Sequence, residues 1–124
     1  MRECAAESPS GPQSARERVK PVRARIAAER DVDEATDYYT DEAGEDISRR
    51  FLDALHAAYR VIGEQPGTGS PRYADLLSVR GLRSRKLARF PFLIFYVECE
   101  DHIEVRRVLH TQRDIPASLR EGTG

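Results

Sequence analysis

The sequence predicts an α+β fold of two layers, in which a helical hairpin packs on a small antiparallel sheet in the order β-α-α-β-β-β. Three observations predict it. A chain of 124 residues corresponds to one domain. Apolar residues recur at helical spacing between residues 32 and 62, and strand-like runs separated by short turns follow from residue 82. Consecutive strands joined by short turns form an antiparallel sheet, and two adjacent helices can cover one of its faces.

The composition divides the chain into one folded region with two short flanks. Residues 1–20 are rich in Ser, Pro, Gly and charge and show no periodicity, so we expect them to be disordered. The domain is expected to span residues 21–120, followed by a flexible tail at 121–124. Cys4 and Cys99 show no metal-ligand spacing and are expected to be free thiols. With no apolar run of the roughly 18 residues that a membrane span needs and no signal-like N-terminus, we expect a cytoplasmic protein.

The first two elements are a strand and a helix. Residues 22–28 begin with alternating apolar and basic side chains, which predicts a half-buried strand. Asp31 and Glu34 have the spacing of an N-cap and its capping-box partner, so a helix is predicted over residues 32–43. Gly44 then ends this helix.

The second helix has the stronger pattern. It begins at Glu45, and its apolar residues share one stripe: Ile47, Phe51, Ala54, Leu55, Ala58 and Ile62. Gln65-Pro66-Gly67 ends it, and the Pro- and Gly-rich residues 66–73 are predicted to form a loop. The two helices therefore form a hairpin.

Three strands complete the predicted sheet. They are residues 82–90, which end at Pro91, the apolar run 92–97, and residues 102–110. The last strand alternates cleanly at Ile103 and Val105 but changes phase at Arg106-Arg107-Val108. That change predicts a β-bulge or an arginine that points inward.

Charge is distributed unevenly although the formal net charge is only −1. Residues 31–65 carry ten acidic and three basic side chains, whereas residues 80–90 carry five basic side chains and no acidic one. The basic strip is either a solvated strand face that discourages edge-to-edge aggregation or a contact surface for nucleic acid or an acidic protein. A sequence pI of about 6.3 argues against a free-standing nucleic-acid binder.

Catalytic motifs are scarce. The sequence has no GxSxG elbow, P-loop or GxGxxG motif, and His56, His102 and His110 have no metal-ligand spacing. We therefore expect no metal and no cofactor. Cleavage of RNA needs only a general base, a proton donor and cations, some of which His110, Arg106 and Arg113 could supply. His110 lacks an acid–base partner nearby in the sequence, because Thr111 and Gln112 cannot take that role.

Several motifs in a fixed order resemble the RelE/ParE superfamily of type II toxin–antitoxin toxins, most closely its ParE branch. The resemblance covers roughly residues 22–120. Its motifs are Asp31 to Tyr39, Arg50 to Leu55, Pro66 to Arg72, Arg80 to Arg83, Phe90 to Tyr96 and Arg107 to Ile115. The resemblance implies a helical hairpin on an antiparallel sheet. It also implies a growth-inhibiting toxin held inactive by a ParD-like antitoxin in a hetero-oligomeric complex.

The resemblance implies two targets, because ParE-type members poison DNA gyrase and RelE-type members cut messenger RNA on the ribosome. RNA-cleaving relatives have an arginine where this chain has Phe92 or Leu93, and a His-Tyr pair where it has His110-Thr111. These departures favour a gyrase poison, which binds its target and breaks no bond itself. A messenger RNA endoribonuclease is the second hypothesis, and a non-toxic, antitoxin-bound co-repressor is the third.

Candidate site residues follow from charge and helix position. The candidate target-binding residues, all basic, are Arg83, Arg85, Lys86, Arg89, Arg106, His110 and Arg113. An internal ion pair of Arg113 with Asp114 is an equally open interpretation. The candidate antitoxin-binding residues are Tyr38, Leu52 and Tyr59, which could form a groove for an amphipathic helix or could simply widen the core stripe.

Overall fold

A sheet of four strands carries two long helices on one face and a short helix on the other. The computed structural model describes residues 19–112, so the predictions for residues 1–18 and 113–124 lie outside the described residues. The α-helices and strands in chain order are β1 (Val22–Ala24), α1 (Ile26–Ala43), α2 (Glu45–Glu64), α3 (Arg72–Leu77), β2 (Leu82–Lys86), β3 (Phe92–Glu98) and β4 (Ile103–His110), and a short 3-10 helix (Pro66–Thr68) lies between α2 and α3. The predicted α+β fold and its element order are confirmed, with α3 as an additional element.

The strands lie in the order β1-β4-β3-β2. β2 pairs with β3 and β3 with β4 in antiparallel fashion, as short connections require. β1 instead pairs parallel to β4, with Val22 opposite Ile103. The sheet is therefore mixed rather than wholly antiparallel. A parallel pair needs a long connection, which the helical hairpin and the strands after it provide.

The boundaries of the first elements differ from the prediction. β1 ends at Ala24, and α1 begins at Ile26, well before Asp31. Asp31 is therefore not an N-cap but a buried residue inside α1. The spacing of Asp31 and Glu34 that suggests a cap is a local pattern. The Asp31 side chain instead accepts a hydrogen bond from Arg107 of β4, which is remote in the sequence. At the other end of α1, Gly44 has φ +97°, a conformation that favours glycine, and it joins α1 to α2.

The predicted stripe of α2 forms the centre of the larger core. Phe51, Leu55 and Ile62 are almost fully buried and pack with Ile94 and Tyr96 of β3. Several aromatic rings of this core meet in edge-on contacts, such as Phe51 against Phe92 at 5.2 Å between ring centroids. A smaller cluster on the opposite face of the sheet contains Leu82, Phe95, Val97 and Leu109.

Helix α3 covers this second cluster, and the sequence did not predict it: its first two residues fall in the predicted loop 66–73. Tyr73, Ala74 and Leu77 pack on the cluster, and the ring of Tyr73 lies edge-on to Phe95 at 5.3 Å. Six residues are too few to show a helical period, and the Pro and Gly residues before them indicate a loop. α3 allows β3 to be buried on both faces, which explains its continuous apolar sequence.

Cys99 is disulfide-bonded, so the expectation that it is a free thiol is wrong. Sequence spacing could not show this, because a disulfide depends on distance in space. Cys4 lies outside the described residues.

Within residues 19–112, no helix combines the length and apolarity needed to cross a membrane.

Candidate functional site

Two of the basic candidates on β2 hold the preceding loop. Arg83 Nη1 donates a hydrogen bond to the carbonyl oxygen of Gly69 at 2.7 Å, and Arg85 Nη1 donates to Thr68 Oγ1 at 3.2 Å. Both side chains lie on the α1/α2 face of the sheet, because their cross-strand partners Tyr96 and Ile94 belong to the larger core. These arginines therefore fasten the loop to the sheet.

The loop is fixed by other contacts as well. The Tyr96 hydroxyl donates to the carbonyl oxygen of Pro66 at 2.7 Å. Ser70 and Ser84 exchange two backbone hydrogen bonds of 2.9 Å, which covers part of the open edge of β2. Gly69 is required here, since a Cβ would lie 2.9 Å from Tyr96 Cζ. Burial raises the pKa of Tyr96, although nearby hydrogen bonding and arginine charge oppose that shift.

Lys86 and Arg89 lie in different surroundings. Lys86 is exposed and pairs with Leu93, which packs on the α3 side, so it lies on the face opposite Arg83 and Arg85. The predicted strand over 82–90 ends at Lys86, and Arg89 belongs to the turn before β3. Arg89 is exposed and has φ +70°, the left-handed region that non-glycine residues rarely adopt.

The phase change in β4 is a β-bulge, as predicted. The pairing with β3 shifts between Phe95 and Tyr96, because Phe95 lies opposite Arg107 and Tyr96 lies opposite Val105. Arg106 is the additional residue, and its Nε donates to Glu104 Oε1 at 3.1 Å. The alternative prediction of an inward arginine is also confirmed, at Arg107.

Arg107 forms a buried ion pair with Asp31 of α1. Its Nε and Nη2 donate to the two carboxylate oxygens at 2.8 and 2.9 Å, and the backbone N–H of Val108 donates to Asp31 Oδ2 at 2.9 Å. The side chains of Asp31 and Arg107 are only 6% and 11% exposed. This pair joins the helical layer to the bulged strand.

His110 lies at a pocket of about 310 Å³ between α1 and the sheet. The described residues that line it are Asp31, Glu34, Ala35, Tyr38, Phe92, Val108 and His110. The His110 ring packs edge-on against Phe92, and its Nδ1 accepts the N–H of Gln112 at 3.1 Å. The sequence did not show that Glu34 lies near His110, because Glu34 belongs to α1 and His110 to β4, which are far apart in the sequence. This lining contains two carboxylates and no lysine or arginine.

The three candidate antitoxin residues differ in burial. Tyr38 is 59% exposed at the edge of this pocket. Leu52 and Tyr59 are partly buried and pack on the larger core. Burial, aided by the negative charges of Glu29 and Asp31, raises the pKa of Tyr59 to about 12. Tyr38 is therefore exposed to solvent, whereas Leu52 and Tyr59 lie at the margin of the core.

A second pocket, of about 770 Å³, lies where α2 meets the turn between β2 and β3. It is lined by Ile47, Arg50, Asp53, Ala54, Ala88, Arg89 and Phe90. Arg89 was predicted as a site residue, whereas Arg50 was missed. Arg50 belongs to the motif Arg50 to Leu55, but only the fold brings it to the same pocket as Arg89.

The structure distributes the target-binding candidates over several places. Arg83, Arg85 and His110 lie on the α1/α2 side of the sheet, and Lys86 lies on the other side. Arg113 lies outside the described residues. No group of three or more His, Cys, Asp or Glu residues within 19–112 could hold a metal ion.

Comparison with known proteins identifies similar sequences and folds. The family model described as the ParE toxin of the type II toxin–antitoxin system, parDE, matches residues 22–115. A solved structure described as the chromosomal ParDE toxin–antitoxin system from P. aeruginosa has a similar fold, with a TM-score of 0.64 and 18% sequence identity. That match covers 76% of this chain and 98% of the other. None of the curated proteins matches the chain.

Proposed function

Because this chain belongs to the ParE toxin family of type II toxin–antitoxin systems, we propose that it inhibits growth by poisoning DNA gyrase and is neutralised by a ParD-like antitoxin. The observation that carries the proposal is the family match over residues 22–115. In this proposal the toxin acts by binding and breaks no bond itself, and it acts in the cytoplasm, where its target is.

The pocket at His110 supports gyrase over messenger RNA as the target. Cleavage of RNA requires cations near the reacting phosphate, where negative charge accumulates. Among the described residues of this pocket, Asp31 and Glu34 are carboxylates and none is a lysine or arginine. Arg107, three residues before His110, is held by Asp31 in a bidentate pair. A phosphate beside His110 would therefore meet an unfavourable charge.

We further propose that the target contacts the face of the sheet opposite α1 and α2, through Lys86 and Arg106. Lys86 is exposed there, and Arg106 bonds Glu104, whose cross-strand partner Val97 packs on the α3 side. Arg83 and Arg85 do not belong to this surface, since they lie on the α1/α2 face of the sheet, where both hold the loop. Reversal of both charges, K86E with R106E, should reduce toxicity without loss of antitoxin binding.

The decisive experiment is inducible expression in cells that lack the antitoxin. Gyrase-dependent DNA breaks, messenger RNA loss and growth are measured in parallel, and the matched control is the same transcript with a stop codon at Phe51. DNA breaks without transcript cleavage are expected. Transcript cleavage without breaks would show an endoribonuclease instead, and normal growth would show a co-repressor that has no toxic activity.

A further inference from the structure

The pocket between α2 and the β2–β3 turn has an apolar floor and a charged rim. Its half-buried lining residues are Ile47, Ala54 and Phe90, whereas Arg50 and Arg89 are exposed. The floor is anchored in the core, because the Phe90 ring packs edge-on against Phe51 with 5.4 Å between ring centroids. A pocket of about 770 Å³ with an apolar floor that opens to solvent has the size and lining typical of a binding site.

The two rim arginines are available to a ligand. Within residues 19–112, neither Arg50 nor Arg89 forms a salt bridge or a side-chain hydrogen bond. Arg89 also occupies the left-handed backbone region, which is unfavourable for an arginine and free of cost for a glycine. Backbone strain of this kind is found mainly at functional sites, where the surrounding structure holds the residue in place.

The lining favours a peptide over nucleic acid. Two arginines can bind carboxylates in bidentate fashion, and the floor can take an aliphatic or aromatic side chain. Asp53, also exposed in this lining, can accept a hydrogen bond from a peptide N–H. The matching ligand is therefore an acidic protein segment that carries a large apolar residue.

From this complementarity we infer that the pocket binds an acidic, apolar-tipped segment of the antitoxin, with Arg50 and Arg89 as its charged contacts. The antitoxin is the matching source because it is the partner bound in the resting state, when an uncovered apolar floor would face water. This inference rests on the proposed function for the identity of the partner. It assigns Arg89 to the antitoxin rather than to the growth-inhibiting target.

The test measures the affinity of the purified toxin for the purified product of the adjoining antitoxin gene. Arg50→Glu and Arg89→Gly should each weaken binding by about tenfold, or about 1.4 kcal/mol, through loss of a charged contact. Ala88→Trp, which fills the pocket without a change of charge, should weaken it similarly. The matched controls are Arg49→Glu and Ala57→Trp, since both residues are exposed on α2 and line neither pocket.

The outcomes separate this inference from the proposed function. Wild-type affinity in Arg50→Glu and Arg89→Gly, or an equal loss in the two controls, would overturn the inference. The inference would also be overturned if these variants kept wild-type affinity for the antitoxin but lost growth arrest, self-association or DNA binding. The pocket would then serve a different partner. A wild-type protein that binds the antitoxin through this pocket yet causes no DNA breaks would support the inference while refuting gyrase poisoning.

Discussion

Replacement of Asp31 by alanine should destabilise the fold severely, because Asp31 links α1 to β4 through three hydrogen bonds. The substitution leaves the Arg107 guanidinium, only 11% exposed, without this carboxylate, and it leaves the buried N–H of Val108 without its acceptor. Removal of one partner from a buried ion pair costs about 3–5 kcal/mol. Since a domain of this kind has a free energy of unfolding of about 5–15 kcal/mol, the variant should retain only part of its stability.

Urea denaturation followed by far-UV circular dichroism measures this loss. A slope of about 1–3 kcal/mol per molar urea converts the expected loss into a midpoint shift of at least about 1 M. Asp31→Asn should lose less, since its side-chain oxygen can still accept the N–H of Val108. The matched control is Asp33→Ala, an exposed carboxylate of the same helix. Equal midpoints for Asp31→Ala and Asp33→Ala would refute the assignment of a stabilising role to the buried pair.

Three further predictions concern glycine, tyrosine and the strained arginine. Gly69→Ala should cost about 1–3 kcal/mol in thermal unfolding, because its Cβ would crowd the Tyr96 ring, whereas Gly67→Ala, with nothing within 4 Å, should be close to neutral. Stability should fall as the pH rises from about 10 to about 12, since Tyr59 keeps its proton in the folded state with a pKa of about 12 after the unfolded chain has released it near pH 10. Tyr59→Phe should reduce that dependence, because burial also raises the pKa of Tyr96, and an unchanged pH profile would contradict the prediction. Arg89→Gly should raise stability by about 1 kcal/mol, and Arg89→Ala should not, because only glycine adopts positive φ freely.

The sequence predicted best the features that depend on near neighbours. The α2 stripe from Ile47 to Ile62 repeats at the helical period, so the helix and its buried face could both be predicted. The phase change at Arg106-Arg107 likewise revealed the bulge, because alternation along a strand is a local property. Pro91 correctly separated β2 from β3, although the strand before it ends earlier, at Lys86.

The candidate site was less predictable, because it depends on which elements meet. Arg83 and Arg85 formed a basic strip in the sequence, but in the fold they hold the loop at Thr68 and Gly69. Arg50 stood in the sequence only as part of the motif Arg50 to Leu55, and nothing indicated a place at a pocket until the fold brought it beside Arg89. A charge pattern predicts which side chains are exposed to partners only when the neighbouring elements are known.

The amino-acid sequence by itself determined the α+β class, the helical hairpin, the three later strands and the bulge, since these follow from periods of two or 3.6 residues. Tertiary structure alone decided the parallel pairing of β1 with β4, the burial of Asp31 against Arg107, and the pocket that joins α2 to the β2–β3 turn. The physical reason is sequence separation. Asp31 and Arg107 lie 76 residues apart, so no local pattern indicates their contact, and Asp31 resembles a helix cap until the chain is folded.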